Sequence, residues 1–122
     1  MKSLRSYREL TVWQKSMDLT VSVYAATRQF PTEEKFGITS QMRRAASSIP
    51  ANIAEGQARN TTGEFLQSLG IARGSLAELE TFVVLSQRLG HLNKPDSRSL
   101  LSACAEINKM LNGLMKSLST RH

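Results

Sequence analysis

Ile38, Met42, Ala45, Ile49 and Ile53 fall within one narrow arc of a helix, and that arc crosses Pro50 without a change of phase. A proline inside a helix removes the hydrogen bond to the carbonyl four residues earlier, here that of Ala46, and bends the rod. The pattern therefore predicts one kinked helix over about 36–59 rather than two short ones, with Gly56 and Asn60 as places for it to stop. Strand-like alternation is absent, so the other apolar residues are read at helical spacing as well.

Three further helices follow from that reading. Over about 9–30 there are two rows: Leu10, Trp13, Met17, Thr20 and Tyr24, and Val12, Leu19, Val23, Ala26 and Phe30. This helix stops at Phe30-Pro31, because the residue before a proline is pushed out of the helical region. Thr32-Glu33-Glu34 predicts a single helical turn in the connection. Thr61-Thr62-Gly63-Glu64 has the form of a capping box and opens a third helix over about 62–89. Its row is Phe65, Leu69, Ala72, Leu76, Leu79 and Val83, and Gly90 is expected as a left-handed cap. Asn93-Lys94-Pro95-Asp96 starts the fourth, over about 95–119, with proline in the first turn. Leu100, Cys104, Ile107, Leu111, Leu114 and Leu118 alternate spacings of four and three, the seam of a bundle. Short connections make neighbours antiparallel. The fold expected is all-α, an up-down-up-down four-helix bundle roughly 30–40 Å long, with residues 1–122 as one domain.

The composition, 40% hydrophobic and 21% charged over 122 residues, suits one folded domain. Sixteen Lys and Arg against ten Asp and Glu leave a net charge of +6, with a pI near 10.0. That surplus suits a polyanion such as RNA or DNA, or an acidic protein surface. The single cysteine, Cys104, allows no internal disulfide and reads as a small core residue. No signal peptide is recognised, and no run approaches the roughly 20 apolar residues that span a bilayer. A cytoplasmic protein without a membrane partner is expected.

Three surfaces need an account. On the third helix Ile71, Phe82, Leu85 and Leu89 lie opposite the core row, with Gly74, Ser75 and Glu78 among them. A second apolar stripe asks either for flanking helices or for another subunit. Ser40, Ser47, Ala51, Ala54 and Ala58 form a small-residue face on the second helix where another helix could approach closely. Arg44, Ser48, Asn52 and Glu55 run down that helix as one polar stripe, with Arg44 and Glu55 about 16 Å apart along the axis. The stripe reads as a solvated face, as structural pairing of Arg43 or Arg44 with Glu78 or Glu80, within a subunit or between subunits, or as a direct contact of these arginines with nucleic acid. On the fourth helix Lys94, Arg98, Lys109 and Lys116 fall within about 60° of one another, opposite Leu111. Glu106 interrupts them nearby, while Lys2, Arg5, Arg8 and Arg121 could extend them. This stripe is either a solvated outer face or a surface for a nucleic-acid backbone.

Enzyme chemistry has no foothold in these residues. A Gly-rich phosphate loop, a Gly-x-Ser-x-Gly elbow and a His-Glu-x-x-His pair are all missing. The two histidines, His91 in a loop and His122 at the end, imply neither a triad nor a metal site. No enzyme and no cofactor is expected. Aromatics are 6%, with no stacking motif for reading single strands, so binding through the backbone or by shape is what remains.

Several segments carry a family likeness: Leu10-Thr11-Val12-Trp13-Gln14-Lys15, Phe36 to Ala46, Ser48-Ile49-Pro50-Ala51-Asn52-Ile53-Ala54-Glu55-Gly56, and Gly74-Ser75-Leu76-Ala77-Glu78-Leu79-Glu80. Over about Glu9 to Leu92 the chain resembles the four-helix bundle family named for proteins encoded in intervening sequences of 23S rRNA genes. The fourth helix resembles it in pattern only. The resemblance implies a small bacterial cytosolic protein assembled as a homopentamer. It also implies kinship of fold with the accessory variability proteins of diversity-generating retroelements, which form basic pentameric barrels that bind a reverse transcriptase and nucleic acid. Two functional expectations stand together. One is a non-enzymatic basic oligomer that binds nucleic acid, structured RNA foremost. The other is an oligomeric scaffold for a protein partner such as a reverse transcriptase.

Overall fold

The structure is a computed structural model and describes residues 6–121. Four long helices carry the chain: α1 (Thr11–Thr27), α2 (Ile38–Gln57), α3 (Thr62–Arg88) and α4 (Lys94–Arg121). Short 3-10 turns at Tyr7–Glu9 and Thr32–Glu34 precede α1 and α2, the second at the predicted Thr-Glu-Glu turn. There is no strand among the described residues. The helices close a ring: α1 packs on α2, α2 on α3, α3 on α4 and α4 back on α1. α2 and α3 share the largest contact.

Local chemistry explains the boundaries. α1 ends three residues before Phe30, which turns inward from the connection and is buried. The Thr61 hydroxyl caps α3 by accepting the Glu64 N–H at 3.1 Å, and it donates to the Glu64 carboxylate at 3.0 Å. At the other end of α3, Gly90 has φ +82, the left-handed region glycine enters at low cost. The His91 N–H then reaches the Ser86 carbonyl at 2.9 Å and the Gly90 N–H that of Gln87 at 3.0 Å, the paired bonds of a Schellman cap. Asn93 caps α4, its side-chain oxygen accepting the Asp96 N–H at 2.8 Å. His91 Nε2 lies 3.1 Å from Glu34 Oε2 and ties the α3–α4 connection to the α1–α2 connection.

The core contains Val12, Leu19 and Val23 of α1, Met42, Ile49 and Ile53 of α2, Leu69, Leu76, Leu79 and Val83 of α3, and Leu100, Cys104, Ile107 and Leu111 of α4. Of the two rows read on α1, the one through Val12 and Val23 is the buried one, whereas Met17 and Tyr24 are exposed. α2 runs unbroken through Pro50, and the Ala46 carbonyl finds a donor outside its own helix. The Thr20 hydroxyl shares its proton between that carbonyl at 3.1 Å and the Ser16 carbonyl at 2.8 Å. α2 ends at Gln57, between the two expected stopping places, and Gly56 has a second role there. It is buried at the point where α2 crosses α3, where an added Cβ would stand 2.6 Å from Ser68 Cβ.

Cys104 is wholly buried, and burial, reinforced by the negative charge of Glu80, pushes its thiol from 9.0 up to about 12. Above pH 9 the unfolded chain gives up this proton while the folded one keeps it, so this group's contribution to stability falls as pH rises. Between about pH 9 and 12 the loss approaches roughly 1.4 kcal/mol per pH unit. Denaturant unfolding at pH 8 and pH 10.5 should therefore show a smaller alkaline loss in Cys104→Ala than in the parent. Equal losses would place the thiol in contact with solvent.

Candidate nucleic-acid interface and assembly surfaces

Lys94, Arg98, Lys109 and Lys116 all stand exposed on the outer face of α4. None of them enters an ion pair among the described residues. Two features of this face could not be read from spacing. Glu106, expected as an interruption, is drawn toward α1, where Lys15 Nζ lies 3.7 Å from its carboxylate. Arg73 of α3 crosses to α4 instead, its Nη1 donating to Asn112 Oδ1 at 3.0 Å. Asn112 shares the helical face of Lys94 and Lys116, so a fifth positive charge joins the stripe from the neighbouring helix. No sequence signal points to it, because residues 39 apart in the chain meet only when α3 and α4 pack. Glu80 of α3 is half-buried and close enough to Cys104 of α4 for its charge to act on the thiol. Lys2, Arg5 and the Arg121 side chain lie outside the described residues. Arg8 sits in a turn that packs on α1 and α2 rather than on α4.

The apolar face of α3 divides. Ile71, Leu85 and Leu89 remain 51%, 41% and 51% exposed, and Val84 joins them. Phe82 differs from them: it is half-buried and packs against the core. On α2, Ser47 and Ala51 are exposed and Ala54 half-buried, so the small-residue face is open to a neighbour. The sequence reading missed Val21 and Phe36, the latter 89% exposed just before α2.

The polar stripe of α2 resolves into short-range bonds. Ser48 and Ser75 share a hydrogen bond of 2.6 Å between α2 and α3. Asn52 Nδ2 donates to the Ser48 carbonyl at 2.8 Å and to its hydroxyl at 3.2 Å. Glu55 turns to Arg59, 3.8 Å away. The expected pairing of Arg43 or Arg44 with Glu78 or Glu80 is not made within the chain. Arg43 lies on the α1 side of α2, so its Nε donates to Thr27 Oγ1 at 2.9 Å and its guanidinium covers the Tyr24 ring at 4.6 Å. Arg44 and Glu78 are exposed. Among the described residues no cluster of His, Cys, Asp and Glu is placed to hold a metal, and no helix is long and apolar enough to cross a membrane.

Four helices in a ring, a buried aliphatic seam and a positively charged outer face define a basic helical-bundle protein. The chain belongs to the 23S rRNA-intervening sequence protein family, whose profile matches residues 8–113. A solved structure from Bacteroides thetaiotaomicron, described as a protein with unknown function from the S23 ribosomal protein family, is similar to it. The two share 28% identity with a TM-score of 0.80, over 86% of this chain and 95% of that one. No curated protein matches the chain significantly.

Proposed function

We propose that this protein is a non-enzymatic, oligomeric, antiparallel four-helix bundle that binds nucleic acid, structured RNA foremost, through its backbone. The observation that carries the reading is the α4 face, where Lys94, Arg98, Lys109 and Lys116 stand exposed with no carboxylate partner and Arg73 arrives beside them. Such a row meets phosphates without reading bases. The antiparallel arrangement is supported by contacts whose numbers rise on one helix and fall on the next: Thr20 with Ala46 and then Thr27 with Arg43, and Met42 with Ser86 and then Ser48 with Ser75. The homopentamer that the family resemblance implies would repeat the α4 face around a ring.

Binding of nuclease-treated protein to labelled structured RNA, duplex DNA and single-stranded DNA across a salt series tests this. The Lys109→Glu, Lys116→Glu double variant should lose roughly tenfold or more in affinity and about two units of log–log salt slope. Unchanged affinity and slope would remove α4 from the interface.

The exposed Ile71, Leu85 and Leu89 favour a second reading, in which α3 seats another subunit or a protein partner such as a reverse transcriptase. Leu85→Glu should then lower the native mass without unfolding the bundle, since Leu85 lies outside the core. A folded variant of unchanged mass would move the subunit interface elsewhere.

A further inference from the structure

We propose that the cleft between the C-terminal half of α1 and the N-terminal half of α2 binds a nucleotide unit, phosphate and base together, at a site separate from the α4 stripe. The cleft is open on one side and offers about 480 Å³, within the range of small-ligand sites. Lys35, Arg43 and Arg44 bring three positive charges to its wall, and no acid lines it. Glu34, next in sequence, is turned away: one carboxylate oxygen meets His91 and the other accepts the Ile38 N–H at 3.5 Å. Like charges gathered without a counter-ion favour an anion.

The wall is also built for one. Arg43 is held in place by Thr27 and by the Tyr24 ring, so its guanidinium is oriented in advance. Thr39 lines the cleft with its residue 8% exposed, and its hydroxyl has no hydrogen-bond partner in the chain. That oxygen is closed off from the cleft by the packing around it, so the basic side chains carry the binding. The first turn of α2 is already met by the Glu34 carboxylate, which accepts the Ile38 N–H, so the charge offered to an anion comes from Lys35, Arg43 and Arg44.

Phe36 supplies the base contact. Its ring projects at the mouth of the cleft, and Lys35 Nζ sits 5.6 Å from the ring centroid. An aromatic face beside a cation suits a base whose phosphate lies deeper. Ser40 and Ser47 line the cleft and also belong to the small-residue face, so a subunit contact leaves this site open where it is confined to Ala51, Ala54 and Ala58 further along α2.

Calorimetric titration of the full chain at low salt with AMP, adenosine and inorganic phosphate tests the site. AMP should bind more tightly than either fragment. Arg44→Ala should weaken AMP and phosphate roughly tenfold. Phe36→Ala should weaken AMP roughly tenfold and leave phosphate unchanged. Both side chains are exposed, so circular dichroism should report an intact fold. The α4 double charge reversal should leave AMP binding untouched, which keeps this inference distinct from the α4 interface. A short single-stranded oligonucleotide that competes with AMP would assign the nucleotide to a strand, and one that fails to compete would assign it to a free nucleotide. No saturable AMP binding, or binding that follows the α4 reversal instead of Arg44 and Phe36, would overturn the proposal.

Discussion

Gly56→Ala is expected to destabilise the fold by about 2 kcal/mol, a clash of about 3 offset by a gain of about 1 in helix propensity. The new Cβ would meet Ser68 Cβ at 2.6 Å and Phe65 Cδ1 at 2.9 Å. Phe65 can turn aside, but Ser68 Cβ is fixed to the α3 backbone and cannot. α2 and α3 would have to part, and their largest shared contact includes the buried Ile53, Leu69 and Ala72. Loosening that layer outweighs the gain from a better helix former. The melting temperature should fall by on the order of 8 °C. Gly74→Ala is the control: nothing lies within 4 Å of its added Cβ, so it should raise stability by about 0.5–1 kcal/mol. A Gly56→Ala protein as stable as its parent would mean that the two helices are not pinned at this crossing.

Thr20→Val carries the second large effect, again about 2 kcal/mol. Pro50 has no N–H, so the Ala46 carbonyl depends on the Thr20 hydroxyl reaching across from α1. Valine keeps the shape of threonine and removes the donor, leaving that carbonyl unpartnered against the buried Pro50. A double-mutant cycle separates this bond from general packing. In a Pro50→Ala background the backbone regains an N–H at 50, and Thr20→Val should cost about 1 kcal/mol less. Equal costs in both backgrounds would show that Thr20 contributes by packing alone.

Both positions depend on contacts between helices that local spacing does not record. Pro50 was legible as a helix interior, because the apolar arc keeps its phase across it. That the lost bond is replaced by a hydroxyl 26 residues before Ala46 was not. Gly56 looked like a stop signal, since glycine is a poor helix former. Its role as a close-approach point depends on Ser68 standing opposite, and no local pattern records that. Arg43 and Arg44 adjoin in sequence, yet a turn of about 100° sends Arg43 onto Tyr24 and leaves Arg44 open.

The sequence by itself determined four helices, their caps at Thr61, Gly90 and Asn93, the buried aliphatic rows of α2, α3 and α4, and membership of the family. All of these depend on residues within a turn or two of one another, where spacing and backbone chemistry decide. Tertiary structure alone decided which of the two α1 rows faces inward, that Phe82 serves the core, that Arg73 joins the α4 charges, and that Lys35, Phe36, Thr39, Arg43 and Arg44 share one cleft with Tyr24. Each of those is a contact between helices, set by the rotation and offset of one rod against another, and a helical period leaves both free.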